Sequence, residues 1–198
     1  MTTLVIGSSR APTFHAALRE TDPSFPVRLW PEAGNPADIR YALAWGPPPG
    51  ALATLPNLEL IVSVGAGVDH LLKDATLPKV PVVRFVDTDL TSRMVSYVCA
   101  NVLFHHRRMI ELRELQQARS WEYLPEPAAR ELTVGFMGFG VLGQACGKAL
   151  KALGYNVAGW TREPKAIDGV ACFAGSAGLD EFLAATDILV VLLPLTPD

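Results

Sequence analysis

Three glycines with the spacing G-x-G-x-x-G, Gly138, Gly140 and Gly143, stand where one apolar pattern gives way to another. Before them runs Leu132–Gly138 (LTVGFMG), short and continuous like a buried strand. After them runs 141–154 (VLGQACGKALKALG), long like a helix, with Gly154 as its stop. A second strand-like run, 155–160 (YNVAGW), follows. This order predicts a strand, a tight turn, a helix and a parallel strand. Gly138 permits the turn, Gly140 lets a bound group approach the backbone, and Gly143 lets helix and strand pack closely. The helix N-terminus then offers unpaired N–H groups to phosphate charge. A glycine-rich turn without a ligand is the plain alternative. The flanking elements favour a dinucleotide pyrophosphate site formed by Gly138, Phe139, Gly140, Val141, Leu142 and Gly143.

The end of the second strand bears on which dinucleotide fits. An NAD-binding fold usually places Asp or Glu about 20 residues beyond the glycines, on the ribose 2′-OH. Here the place reads Trp160-Thr161-Arg162, with Lys165 nearby. A carboxylate repels a 2′-phosphate, whereas a hydroxyl and a guanidinium bind it. Trp160, Thr161 and Arg162 are therefore candidate contacts, and NADP(H) is expected over NAD(H). A solvated polar turn is the alternative.

The rest of the chain repeats the alternation. Strands are expected at 3–7, 25–30, 41–45, 58–65 and 80–85, and a helix at 12–20 with Pro12 in its first turn. A stretch free of Gly and Pro from Leu90 to about Ser120 predicts one spacer helix of about 45 Å, capped by Thr88 or Asp89. A Pro-rich connector follows at 124–130, then a short strand at 169–175, a helix at 178–186 and a last strand at 187–194. Ile188–Leu193 is an apolar run that nothing blunts before Pro194. A bare edge of that kind invites aggregation, so more chain, or another chain, is expected to cover it.

Composition narrows the classes. The chain has 198 residues, 49% hydrophobic and 19% charged, enough for one large or two small domains. A formal net charge of −3 leaves no broad basic field for nucleic acid or anionic membrane. No window reaches the roughly 18 apolar residues of a membrane span, and the start lacks a signal-peptide pattern. A cytoplasmic location follows. Cys99, Cys146 and Cys172 are far apart and odd in number, which suggests reduced thiols and no metal site.

Four stretches, 63–71 (SVGAGVDHL), the long helix after residue 88, 134–143 (VGFMGFGVLG) and 189–198 (LVVLLPLTPD), together resemble the D-isomer-specific 2-hydroxyacid dehydrogenases. The stretches AWGPP (44–48), MVSYV (94–98), SWEYLPEP (120–127) and GWTR (159–162) bring the chain nearest to the bacterial glyoxylate/hydroxypyruvate reductase A subgroup. The resemblance implies two α/β domains with a cleft between them. The first would be a flavodoxin-like parallel-sheet domain over 1–95 that holds a 2-keto acid. The second would be a Rossmann nucleotide-binding domain over 96–198, incomplete at its C-terminal side.

The resemblance also assigns residues. The loop Val64, Gly65, Ala66 and Gly67 matches the stretch whose backbone N–H groups bind the substrate carboxylate. Its chemistry agrees, since glycines let the backbone come close at the carboxyl end of a strand. A plain glycine turn is the alternative. Trp45 matches a pocket-lining position and Met94 one near the nicotinamide, though both could equally be core. Leu193, Pro194 and Leu195 match positions beside the cofactor. Trp121, in the connector, could be an interface anchor. The resemblance places the family's Arg, acid and His beyond the strand at 187–193 and past Asp198, the last residue of this sequence, so no catalytic residue is assigned. Truncation at Asp198 is the expectation. His70 is the histidine nearest a candidate site, but a catalytic role for it is not expected, and Asp69 is expected to cap or brace the loop. The implied function is NADPH-dependent reduction of glyoxylate, hydroxypyruvate and similar small 2-keto acids by an intact protein, a homodimer, with this chain nearly inactive. The alternative is a non-catalytic dinucleotide-binding regulator on the same fold.

Overall fold

The computed structural model describes residues 2–7 and 9–194. The chain divides into two units, a first over Met1–Val86 that also takes in Pro194, and a second over Asp87–Leu193.

The first unit is a parallel sheet. Its strands are β1 (Thr2–Gly7), β2 (Val27–Leu29), β3 (Ile39–Trp45), β4 (Leu60–Ser63) and β5 (Val82–Arg84), with helices α1 (Ala11–Thr21) and α2 (Asp69–Leu72). The order is β2-β1-β3-β4-β5, and every pair is parallel. This is the flavodoxin-like order. Side chains alternate along a strand, so β1 feeds both faces of the sheet. Leu4 and Ile6 join Ile39, Ala42, Ala44, Leu52, Ile61 and Leu71 in one core. Val5 packs on the opposite face with Ala11, Val27, Phe14 and Leu18. Burial on both faces explains why β1 reads as a continuous apolar run.

The second unit opens with α3 (Thr88–His106) and α4 (Met109–Ala118). It continues with β6 (Thr133–Met137), α5 (Val141–Ala152), β7 (Asn156–Thr161), β8 (Ala171–Ala174), α6 (Leu179–Ala184) and β9 (Ile188–Val191). The sheet order is β8-β7-β6-β9, again all parallel. Numbered within the unit this is 3-2-1-4, the first four positions of the Rossmann order. Its core gathers Val98 and Val102 of α3, Val134 and Phe136 of β6, Cys146 and Leu150 of α5, and Tyr155 and Val157. The expected boundary at 95/96 falls inside α3, which lies whole in the second unit.

Two local expectations are corrected. The helix from Leu90 to Ser120 is two helices, because Arg108 takes a left-handed conformation with φ 50°. Side-chain bonds hold the break. His106 meets the Tyr155 hydroxyl and the Pro127 carbonyl, and Arg107 pairs with Glu126 at 3.0 Å. The signal lay in His105-His106-Arg107-Arg108, since cationic residues gather at helix C-termini, where they complement the dipole. The second correction is the cap of α3. Asp87, not Thr88 or Asp89, accepts hydrogen bonds from the Asp89 and Leu90 N–H groups at 3.1 and 3.3 Å.

No helix of the described residues is long and apolar enough to cross a membrane. Removing the α3 cap by Asp87→Ala is expected to cost about 1 kcal/mol of stability, read as a lowered urea midpoint at unchanged slope.

Candidate functional site

The glycine turn lies at the carboxyl end of β6. Gly138 has φ +99°, and a Cβ there would press on the Leu192 carbonyl at 2.9 Å. The turn is pinned from β7, because the Gly138 and Phe139 N–H groups donate to the Trp160 carbonyl at 3.1 and 3.3 Å. A Cβ on Gly143 would stand 2.5 Å from the Gly138 carbonyl oxygen, so α5 crosses the turn at backbone contact. Around Gly140, in contrast, nothing lies within 4 Å of such an atom. The first intrahelical bond of α5 is from the Gln144 N–H to the Gly140 carbonyl, 2.9 Å. The N–H groups of Gly140, Val141, Leu142 and Gly143 have no acceptor among the described residues. This is a cluster of four unspent donors at a helix N-terminus, with open space in front of the middle glycine.

Phe139 plays a part that motif reading missed. The residue is 2% exposed, with its ring packed into the core. The ring fills a slot left by two other glycines. A Cβ on Gly159 of β7 would meet the ring at 2.5 Å, and one on Gly147 of α5 at 3.1 Å. Only its backbone faces the turn.

At the end of β7 the three candidates separate. The half-buried Trp160 donates its indole N–H to the Gly175 carbonyl at 2.9 Å and so ties β7 to the segment after β8. The Thr161 hydroxyl donates to the Glu163 carbonyl at 2.6 Å, so its one proton is spent inside the turn. Arg162 is exposed and makes no ion pair among the described residues. It is the free donor group of the three.

Beyond β9, the Leu192 N–H donates to the Met137 carbonyl at 2.8 Å, and the Leu193 side chain lies 3.2 Å from where a Gly138 Cβ would be. Leu193 therefore borders the glycine turn. Pro194 is exposed. Leu195, expected beside the cofactor, and Asp198, the expected point of truncation, both lie outside the described residues. Met94 is half-buried and packs on the core of the second unit.

In the first unit, the loop 64–67 leaves β4 beside β3. Its four N–H groups are not equivalent. That of Val64 donates to the Ala44 carbonyl at 3.2 Å, and that of Gly65 to the Ser63 hydroxyl at 3.3 Å. Those of Ala66 and Gly67 have no acceptor among the described residues. A Cβ on Gly65 would overlap the Trp45 ring, so the indole lies directly on the loop, itself 40% exposed. Asp69 makes no capping hydrogen bond, but its Oδ1 sits 2.7 Å from where a Gly67 Cβ would be. Opposing this negative charge, an Arg84 nitrogen lies 3.4 Å from the Ala66 carbonyl. The His70 ring packs on Trp45 with centroids 4.3 Å apart. Burial holds the His70 imidazole below its ordinary pKa, against the pull of Asp69.

The Cys146 and Cys99 thiols are poor nucleophiles. Burial pushes Cys146 up to about 11 and raises Cys99 as well. Among the described residues no three His, Cys, Asp or Glu side chains gather as metal ligands.

With this geometry the chain can be set beside known proteins. Residues 99–198 match the family model for the D-isomer specific 2-hydroxyacid dehydrogenase NAD binding domain. A glyoxylate/hydroxypyruvate reductase A of Serratia proteamaculans is 40% identical over 190 residues, covering 92% of this chain and 60% of that protein. The crystal structure of a D-isomer specific 2-hydroxyacid dehydrogenase from Xanthobacter autotrophicus Py2, in complex with NADPH and MES, superposes with a TM-score of 0.90 at 40% identity, covering 99% of this chain and 64% of that one. An NADPH-dependent glyoxylate/hydroxypyruvate reductase from Sinorhizobium meliloti, solved with NADP and sulfate, gives 0.89 at 40% identity, covering 100% and 64%. The chain, Met1 to Asp198, thus spans about 60% of the length of the curated relative it matches.

The glycine geometry separates two substitutions. Gly143→Ala forces a methyl against a backbone carbonyl and is expected to cost about 1–3 kcal/mol. Gly140→Ala meets open space at a negative φ and should stay within about 0.5 kcal/mol of the parent protein. Urea denaturation of the two variants side by side measures the contrast.

Proposed function

As the chain belongs to the D-isomer-specific 2-hydroxyacid dehydrogenase family, we propose that it carries the cofactor-binding and keto-acid-binding parts of an NADPH-dependent reductase of small 2-keto acids such as glyoxylate and hydroxypyruvate. The reading rests above all on the turn at Gly138–Gly143, where four donors and an open approach face one another, with Thr161 where an NAD site carries an acid and Arg162 next to it.

The second unit is the nucleotide-binding domain. The N–H groups of Gly140 to Gly143 hold the pyrophosphate, where their partial charge and the helix dipole favour an anion. Arg162 holds the 2′-phosphate through paired, charge-assisted hydrogen bonds. Trp160 and Thr161 shape this corner through Gly175 and Glu163. Leu193 forms an apolar edge beside the glycine turn, and Pro194 and Met94 are the further residues assigned to the cofactor. The cofactor bound there supplies a hydride for the keto carbon.

The first unit is the substrate-binding domain. The N–H groups of Ala66 and Gly67 receive the carboxylate, while Val64 and Gly65 shape the loop. Trp45 walls the pocket and excludes water from one side. No proton transfer is given to a residue of this chain. The protein acts as a cytoplasmic homodimer. The dimer reading is supported by Trp121 and Tyr123, 99% and 87% exposed, and by exposed Phe104, Met109 and Ile110 of α3 and α4.

Titration with both cofactors tests the reading. NADPH is expected to bind more tightly than NADH, and a clear preference for NADH would overturn it. Arg162→Ala should weaken NADPH by about tenfold to a hundredfold, the worth of one or two charged hydrogen bonds, and leave NADH nearly unchanged. Equal losses for both cofactors would remove the 2′-phosphate role from Arg162.

A further inference from the structure

The loop 64–67 stands on a buried polar cluster that the family motif does not explain. Ser63, the last residue of β4, is 0% exposed. Its Oγ lies 2.9 Å from the Gly67 carbonyl, 3.4 Å from the Gly65 carbonyl, 3.3 Å from the Gly65 nitrogen and 3.5 Å from His70 Nε2. One hydroxyl thus spans the loop at both ends.

Counting protons fixes the roles. A serine hydroxyl has one hydrogen and two lone pairs. The shortest contact is with a carbonyl oxygen, which can only accept, so the hydrogen goes to Gly67. The lone pairs then take the Gly65 N–H and the imidazole. His70 must therefore donate from Nε2, which makes a neutral ring the Nε2–H tautomer. Its Nδ1 is buried and makes no hydrogen bond of full geometry among the described residues, although the Ala44 carbonyl lies close enough to favour the charged ring. The same ring presses on Trp45, whose indole covers Gly65.

We propose that Ser63 and His70 are positioning residues for substrate binding. Together they lock the 64–67 loop, so that the Ala66 and Gly67 N–H groups point away from the protein and toward a carboxylate. The proposal rests on the carboxylate role given to this loop above. Without the hydroxyl, the Gly65 N–H and the Gly67 carbonyl both lose their partner, and the loop can turn its amides inward. Without the imidazole, the hydroxyl loses a donor and Trp45 loses its backing. Neither side chain touches the substrate.

The test uses the 198-residue chain. Glyoxylate is titrated into 15N-labelled protein while the amides of residues 64–67 are followed, and NADPH affinity is measured alongside. In the parent protein the Ala66 and Gly67 amides should move. Ser63→Ala and His70→Leu should weaken glyoxylate by about tenfold, the worth of one buried hydrogen bond with its orphaned partner. His70→Gln, which carries an N–H near the Nε2 position, should recover most of that loss. NADPH affinity should hold in all variants, as it would not if the chain were globally unfolded. Side-chain 15N shifts of His70 should report a neutral ring protonated at Nε2, with that tautomer depleted in Ser63→Ala. Unchanged glyoxylate affinity in Ser63→Ala, or a His70→Gln as weak as His70→Leu, overturns the proposal. If glyoxylate moves no loop amide even in the parent protein, the carboxylate role fails by itself. The brace is then judged on the tautomer alone: Nε2–H that depends on Ser63 upholds it, and Nδ1–H overturns it.

Discussion

The Phe139 ring packs against α5, β6 and β7 at once, and the geometry of the glycine turn depends on that contact. The ring is held between Gly159 and Gly147 and touches Phe136, with centroids 5.7 Å apart. Neither glycine could carry a methyl group without pushing on it. Interiors pack at crystal density, so a helix cannot drift from a wedge of this kind without opening a void. The wedge therefore fixes the distance and angle at which α5 leaves the turn. The aim of the four free N–H groups follows from that angle. A motif described as three glycines is in this chain five glycines and a phenylalanine, and the two outside the motif set its geometry.

The two candidate loops reach preorganisation by different routes. The turn at 138–143 is held by apolar contact and by backbone bonds to the Trp160 carbonyl. The loop at 64–67 has Trp45 on one side and needs an internal polar brace, which Ser63 supplies. Both leave unspent N–H donors at the carboxyl end of a parallel strand, where ligands of open α/β sheets bind. Charge is arranged less evenly. The nucleotide corner has Arg162 free, whereas the loop at 64–67 has Asp69 on one side and Arg84 on the other. An anion at that loop gains from N–H dipoles more than from a formal charge within the loop.

Much of this was legible from residue order because local signals and long-range packing agreed. The glycine spacing, the two-sided apolar runs of β1 and β6 and the stop at Gly154 each forecast what the fold contains. The misses share a cause. The break at Arg108 is fixed by Tyr155, 49 residues from His106 in sequence, and by the connector at 126–127. The Phe139 slot needs Gly159 from the next strand. Ser63 reads as an ordinary strand residue until the loop folds back over it. Nothing in the sequence shows that the Thr161 hydroxyl proton is given to the Glu163 carbonyl in this fold. Side-chain type announces what a group can donate, whereas only the fold decides whether that donor is still free.

That distinction sharpens where cofactor selectivity resides. With the Thr161 proton committed and the Trp160 indole N–H given to Gly175, Arg162 is the one unspent side-chain donor among these three residues. A guanidinium on an exposed turn keeps most of its hydration when no anion is present, so its vacancy costs the fold little. A carboxylate at the same place would face the phosphate with like charge. In the proposed reading, the choice between the phosphorylated and unphosphorylated nucleotide falls to one solvent-facing side chain. The pyrophosphate grip proposed for both nucleotides falls instead to backbone N–H groups, which every residue type but proline supplies.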